Sequence, residues 1–211
     1  TGTLTCNELT VQQVRSPDGS IYEVTGQGFE PEGHFQKDGL PIEPDQATAL
    51  ADLARSVTLC NEGELLQREG GWAWHGDPTD VALLTMAYKL GWRKEDTEEL
   101  HPQLNDIPFE PERQFAATFN RHGEDVRVHV KGAPERVLDM LAEGQDAEHL
   151  LAMAREMAEH GYRVLAVAHG PAPADLGASD TPPTPGELLN RVLVLDDAAK
   201  GYPKPGTRSS P

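Results

Sequence analysis

The 211 residues of this chain are enough for one sizeable core, or for a core with a lobe attached, but not for a second large domain. Thirty-five acids against eighteen bases leave a formal charge of −17, which repels a phosphate backbone and disfavours general nucleic-acid or anionic-membrane binding. Any small anion must be held by a few locally placed cations.

Residues 9 to 28 read as a hairpin. Leu9, Val11 and Gln13 alternate with partners on the other face, and Ser16-Pro17-Asp18-Gly19-Ser20 supplies turn chemistry before Ile21, Tyr22 and Val24. The density of Gly28, Pro31, Gly33, Gly39 and Pro41 predicts a structured loop from Gly26 to Pro44. A helix follows, with Asp45 as N-cap and Ala47, Leu50, Leu53, Ala54 and Val57 at helical spacing up to Cys60. Glu64 to Gln67 and Trp72 to His75 form a short strand pair, with Trp72 and Trp74 on one face as packing residues. At Gly76-Asp77-Pro78-Thr79-Asp80, Asp77 can cap and Pro78 fits the first helical position, which predicts a helix over 78 to 90.

After a charged stretch at 93 to 99, three strands are expected at Leu104 to Phe109, Phe115 to Asn120 and Asp125 to Val130. In the last, Val126, Val128 and Val130 alternate with Arg127 and His129, predicting one buried and one wet face. Lys131-Gly132-Ala133-Pro134-Glu135 ends that strand and starts a helix, a second helix covers 147 to 159, and Arg163 to His169 is another strand. Residues 170 to 187 read as a flexible loop, Leu193 to Leu195 as a brief strand, and 198 to 211 as linker, disordered tail or appended segment. The fold class is therefore α+β, a mostly antiparallel twisted sheet flanked by helices.

Several chemistries lack their motifs. No run of roughly eighteen apolar residues occurs, so neither a membrane span nor a signal peptide is expected. Cys6 and Cys60 cannot make a disulfide framework, and without a C-x-x-C pair or a His/Cys cluster they predict neither a structural zinc nor a redox dithiol. They are read as small buried or hinge residues in a reducing, cytosolic setting. There is no Walker A loop, and Gly26-Gln27-Gly28 lacks the rest of a dinucleotide fingerprint. Zincin, nucleophile-elbow and kinase signatures are also absent. The histidines show no ligand spacing, and His75 is read as a strand-end surface residue.

What remains is a set of short polar or Gly-rich segments at element ends. They are Thr1-Gly2-Thr3-Leu4-Thr5 with Asn7, Gly76-Asp77-Pro78-Thr79-Asp80, Phe109-Glu110-Pro111-Glu112-Arg113, Lys131-Gly132-Ala133-Pro134-Glu135 and Gly161-Tyr162-Arg163-Val164-Leu165-Ala166. In this order, with Tyr22 to Gly33 and Leu59-Cys60-Asn61, the sequence resembles the cytoplasmic nucleotide-binding domain of the P-type cation-transporting ATPases, calcium-pump-like bacterial type, over residues 1 to about 197.

The resemblance implies a division into a phosphorylation-domain stub and hinge at 1 to 8, a nucleotide-binding domain at 9 to 195, and a hinge return, linker or tail at 196 to 211. Asp196-Asp197 falls where the family has Asp-Pro-Pro-Arg, from which Ala198-Ala199-Lys200 departs. Hinge segments are expected at 5 to 14 and 188 to 197. Phe109 matches the adenine-stacking aromatic, Lys131 the lysine at the pocket mouth, Gly132 the residue that lets ligand approach the backbone, and Arg163 the arginine on the phosphate side. Thr79 and Asp80 match a Thr-Glu pair beside the adenine amine, and Thr1 a residue contacting phosphate and magnesium.

No catalytic residue is assigned, because the phosphorylated aspartate of Asp-Lys-Thr-Gly-Thr-Leu-Thr would precede Thr1; the fragment alone is expected to be inactive. Pro111 and Gln114 stand where the family's calcium-pump pattern has an arginine and a lysine. With Arg113 as partial substitute, ATP binding is expected to be weak, with a Kd on the order of 0.1 to several mM. The implied setting is a cytoplasmic domain of an integral membrane protein, with ATP and Mg2+ used by the intact parent. Its phosphorylation, actuator and transmembrane domains are the implied partners, with no nucleic acid and no direct membrane contact. The rivals are a non-enzymatic adaptor that keeps the fold with little nucleotide affinity, and an autonomous phosphotransferase using an acid such as Asp80.

Overall fold

Alternation along the strands sorts the side chains into two opposite layers. The computed structural model describes residues 9–42, 48–142 and 146–173, together with the backbone of 191–199. The first half holds β1 (Leu9–Arg15), β2 (Ile21–Val24), β3 (Phe35–Lys37), β4 (Leu40–Ile42), α1 (Thr48–Leu59), β5 (Glu64–Arg68), β6 (Gly71–His75) and α2 (Pro78–Lys89). The second holds α3 (Lys94–Leu100), β7 (Gln103–Ile107), β8 (Phe115–His122), β9 (Asp125–Gly132), α4 (Pro134–Leu138), α5 (Ala147–Glu159), β10 (Arg163–Ala172) and β11 (Arg191–Ala199). One antiparallel sheet runs β4-β3-β2-β1-β11-β10-β9-β8-β7, with β5 and β6 as a separate hairpin. Leu9 pairs with Ala199, so the outer ends of β1 and β11 leave the sheet side by side.

On β10 the neighbours Ala166, Val167 and Ala168 divide between the faces, as a period of two requires. Val167 packs with Leu53, Ala54 and Val57 of α1 and Leu83 and Met86 of α2. Ala166 and Ala168 pack with Phe119, Val128, Val130 and the Leu150, Met153, Ala154 and Met157 stripe of α5. That stripe recurs at three- and four-residue steps, the signature of one buried helix face. Helix α2 is buried nearly all round because Val81 and Leu84 pack a third cluster with Leu9, Phe29 and Leu65. Each such aliphatic side chain contributes about 1.5–3 kcal/mol on burial. The result is the α+β class the sequence predicts, with helices on both sides of an antiparallel sheet.

Four details depart from expectation. The segment 26 to 44, read as loop, contains the β3–β4 hairpin, whose two turn residues, Asp38 (φ 54°) and Gly39 (φ 76°), are left-handed as tight hairpins demand. The charged stretch 93 to 99 is helical, as α3. The strand at 104 to 109 ends at Ile107, leaving Phe109 beyond it. The last strand, expected over 193 to 195, runs from Arg191 to Ala199. Asp45 and Thr1 lie outside the described residues.

The wet face expected on β9 is also covered. His129 is buried against Ser56 of α1, its Nδ1 3.0 Å from the hydroxyl, and Lys131 is buried as well. Four of the eight histidines, unspaced in sequence, gather here. His101 stacks on His122 at 3.9 Å between centroids, His122 Nε2 lies 3.1 Å from His129 Nε2, and His129 and His169 are 6.1 Å apart. Asp52, Arg55 and Arg127 surround them. Burial, reinforced by neighbouring His101 and Arg127, pushes His122 down to about 4, and His129 falls well below the ordinary histidine value of 6.5.

The unfolded chain therefore binds more protons than the fold between pH 6.5 and about 4. The corresponding stability is complete above 6.5 and lost as the pH falls through that window. Thermal melts should show Tm dropping between those limits, with a shallower drop in His122→Asn; parallel profiles would contradict the assignment.

Candidate functional site

A cleft of about 710 Å3 opens where the α1-facing side of β7 to β10 meets the first turn of α2 and the segment after α1. The sequence builds its edge locally. Asp77 Oδ1 accepts from Thr79 N at 2.8 Å, and Pro78 occupies the first helical position, where no N–H is needed. Asn61 Nδ2 donates to Val57 O and to Asp80 O, both at 3.0 Å, while its Oδ1 accepts from Gly63 N at 2.8 Å. This one amide ties the end of α1 to the start of α2 and fixes the backbone of 61 to 63.

Asp80 then turns inward. Its Oδ2 accepts from Glu62 N at 3.0 Å, and its Oδ1 accepts from Lys131 Nζ across 51 residues of sequence. The pair is largely dry, with Asp80 8% and Lys131 9% exposed. Buried charges persist only when partnered, so each holds the other in place. Lys131 lines the cleft as a neutralised ammonium rather than as a free cation at its mouth. The neighbouring thiol of Cys60 is pushed up to about 11 by burial, which leaves it protonated and inert.

Phe109 sits past the end of β7 on the cleft lining and is 57% exposed. It is therefore not a core residue. On another wall Arg163, the first residue of β10, is exposed and donates from Nη1 to Thr79 Oγ1 at 3.3 Å. Among the described residues that line the cleft, Arg163 is the cation with no ion-pair partner.

Gly132 serves strand packing. An added Cβ would lie 2.4 Å from Gln114 O and 2.7 Å from Phe115 Cα, both backbone atoms that cannot swing away. Gln114 is itself held left-handed at φ 62°, with its O accepting from Ala133 N at 2.9 Å. Gly132→Ala should lower stability by about 1–3 kcal/mol, read as a fall in Tm. An unchanged melt would mean that β8 and β9 separate freely there.

The structure thus brings Thr79, Asp80, Phe109, Lys131, Gly132 and Arg163 onto one lining, with Pro111 and Gln114. Arg113 is not on it: this exposed side chain pairs with Glu110 at 3.4 Å. Sequence reasoning named Asn61 only as part of the matching Leu59-Cys60-Asn61 segment, with no role at the site, and did not single out Glu62, Gln103, Asp106 or Thr118; all five also line the cleft. The strand period could have found two of them, because Asp106 pairs with Thr118 on the face that carries Lys131.

Known proteins are similar to this chain in sequence. A sequence model of the P-type ATPase cytoplasmic domain N matches residues 49–187. The chain is 36% identical to cation-transporting ATPase pma1 of Synechocystis sp. over 188 residues, 80% of this chain and 20% of that protein. It is also 36% identical to "Probable cation-transporting ATPase F" of Mycobacterium bovis over 209 residues, 93% and 23% of the two chains. Identity to a calcium-transporting ATPase of Bacillus subtilis is 30% over 194 residues, 86% and 21% of the two chains. The chain spans about a fifth of the length of these relatives. With two thirds of its residues matched by the family model and an antiparallel α+β fold to go with it, the chain belongs to the P-type ATPases and carries their cytoplasmic N domain.

Proposed function

We propose that the cleft binds ATP, with the adenine on Phe109 and the phosphates leading out past Arg163, and that in the parent pump the γ-phosphate passes to an aspartate of an adjacent phosphorylation domain. The observation that carries this reading is the exposed Phe109 ring on a cleft with the guanidinium of Arg163 on another wall. A flat apolar platform suits a base, and a planar fork of N–H donors suits phosphate. The parent is then a cation-transporting ATP hydrolase of the membrane, with this domain on its cytoplasmic side and its actuator, phosphorylation and transmembrane domains as partners. The adjacent outer ends of β1 and β11 fit a domain inserted through two neighbouring hinges.

These 211 residues contain no Asp-Lys-Thr-Gly sequence, so no turnover is expected from the chain alone. Among the described residues no group of three or more His, Cys, Asp or Glu is disposed to hold a metal ion, so Mg2+ is assigned to the nucleotide and to the parent, and no step is routed through it here. Binding is weak, because the Lys131 charge is taken up by Asp80 and because Pro111 and Gln114 add no cation.

Calorimetric titration with ATP should give a saturable one-to-one isotherm with a Kd of roughly 0.1 to several mM. Absence of heat and of saturation at ten times that range would favour the adaptor reading, in which the fold persists without nucleotide affinity. ATP hydrolysis that Asp80→Ala abolishes would instead favour an autonomous phosphotransferase.

A further inference from the structure

We propose that Lys94 is a positioning residue for the cleft, holding the segment 61 to 63 where it meets the nucleotide; this rests on the nucleotide reading above. Lys94 opens α3, whose N-cap residue Arg93 makes no side-chain capping bond. A cation at that end of a helix faces the positive pole of the peptide dipoles, where acids are favoured. Its placement is explained by what the ammonium reaches instead.

Lys94 Nζ donates to Asn61 O and to Gly63 O, both at 2.9 Å. The two carbonyls flank Glu62, so one side chain pins the segment on either side of it. The Lys94 side chain is largely buried, and the Glu98 carboxylate lies farther off, at 3.7 Å and half-exposed. The bonds to the two carbonyls are the closer contacts.

The pinned segment has little slack. An added Cβ at Gly63 would lie 3.0 Å from Asn61 Oδ1 and 3.2 Å from Asp80 Cβ, and one at Gly76 would lie 3.0 Å from Gly63 Cα. The segment is thus pressed against the start of α2, where the Glu62 N–H holds Asp80 Oδ2.

Asn61 and Glu62 line the cleft and Lys94 does not, so the lysine acts through them. A wall already in place spares the ligand the entropy of ordering it, which is the gain of preorganisation. Without the ammonium, Asn61 O and Gly63 O turn to water, the segment fluctuates, and ATP has to order it on arrival.

The test combines calorimetric titration of the 211-residue chain with ATP and amide hydrogen exchange. Lys94→Met should weaken ATP binding by roughly three- to tenfold. It should also speed exchange by roughly tenfold at the Glu62 and Gly63 amides, which are bonded to Asp80 and Asn61, and saturating ATP should slow that exchange again. The response to ATP separates positioning from a merely structural role, in which lost order would not answer to ligand. Lys94→Arg, which keeps a donor for each carbonyl, should bind ATP within about twofold of wild type. Glu98→Gln, which removes the ion pair and leaves the carbonyl bonds, should do the same. Unchanged exchange along Leu150–Met157 of α5 reports an intact fold; should Lys94→Met not fold, Lys94→Gln carries the same test with the same expectations. If wild type binds no ATP, the nucleotide reading itself fails, while exchange in the variant still shows whether Lys94 holds the segment. With binding present, four results would each overturn the assignment: an unchanged affinity in Lys94→Met, an equal loss in Glu98→Gln, Glu62 and Gly63 amides that stay protected, or fast exchange there that ATP does not slow.

Discussion

Phe109→Ala is expected to abolish measurable ATP binding while leaving the fold intact. Stacking of a base on an aromatic ring is worth about 1–3 kcal/mol, or roughly 5- to 150-fold in affinity, and the expected starting Kd is only about 0.1 to several mM. The ring is 57% exposed and outside the buried clusters, so its removal creates no cavity. Surface changes of this kind stay within about 0.5 kcal/mol of wild-type stability. Loss of binding with an unchanged melt is the expected pair of results, and Phe109→Trp should retain binding. If Phe109→Ala unfolds the protein instead, the ring belongs to the core and the platform argument fails.

Lys131→Met should have the largest effect on stability. It leaves the Asp80 carboxylate buried without its counter-charge, a type of change that costs about 3–5 kcal/mol. The Glu62 N–H still donates to Asp80 Oδ2, which places the expected loss toward the lower end of that range. Adding Asp80→Asn removes the stranded charge while an amide oxygen can still accept from Glu62 N. The double variant should therefore be more stable than Lys131→Met alone, as a double-mutant cycle in melts or urea titrations would show. Additive losses would mean that the pair is not coupled in solution.

The same geometry sets the sign of a binding effect. Asp80→Asn frees the Lys131 ammonium and takes a negative charge from the cleft, so ATP should bind roughly two- to fivefold tighter. A carboxylate contacting the adenine amine would give the opposite result.

Much of this site was legible because its parts are local signals. Asp77 and Pro78 mark the start of α2, which determines where Thr79 and Asp80 stand, and the Lys131 to Pro134 segment marks the change from β9 to α4. The alternating valines of β9 were legible for the same reason, since a period of two is written in consecutive residues. The illegible parts depend on partners distant in sequence. Nothing near His129 reports that α1 lies over it, so a face with Arg127 and His129 reads as solvated. Likewise the Asp80–Lys131 pair joins two residues that each look like ordinary surface charges. Arg113 was drawn in by its closeness to Phe109 in sequence, yet the turn between Glu110 and Gln114 directs it to Glu110 instead. The β3–β4 hairpin was hidden by its brevity, three residues a side in a stretch rich in Gly and Pro.

The most direct test of ATP binding in this cleft is an amide chemical-shift titration of the isotopically labelled chain. The account predicts saturable shifts at Phe109, Thr118, Lys131 and Arg163, with the Leu150–Met157 face of α5 unperturbed on the far side of the sheet. Shifts confined to α5, or none at ATP concentrations of tens of millimolar, roughly ten times the expected Kd, would contradict it.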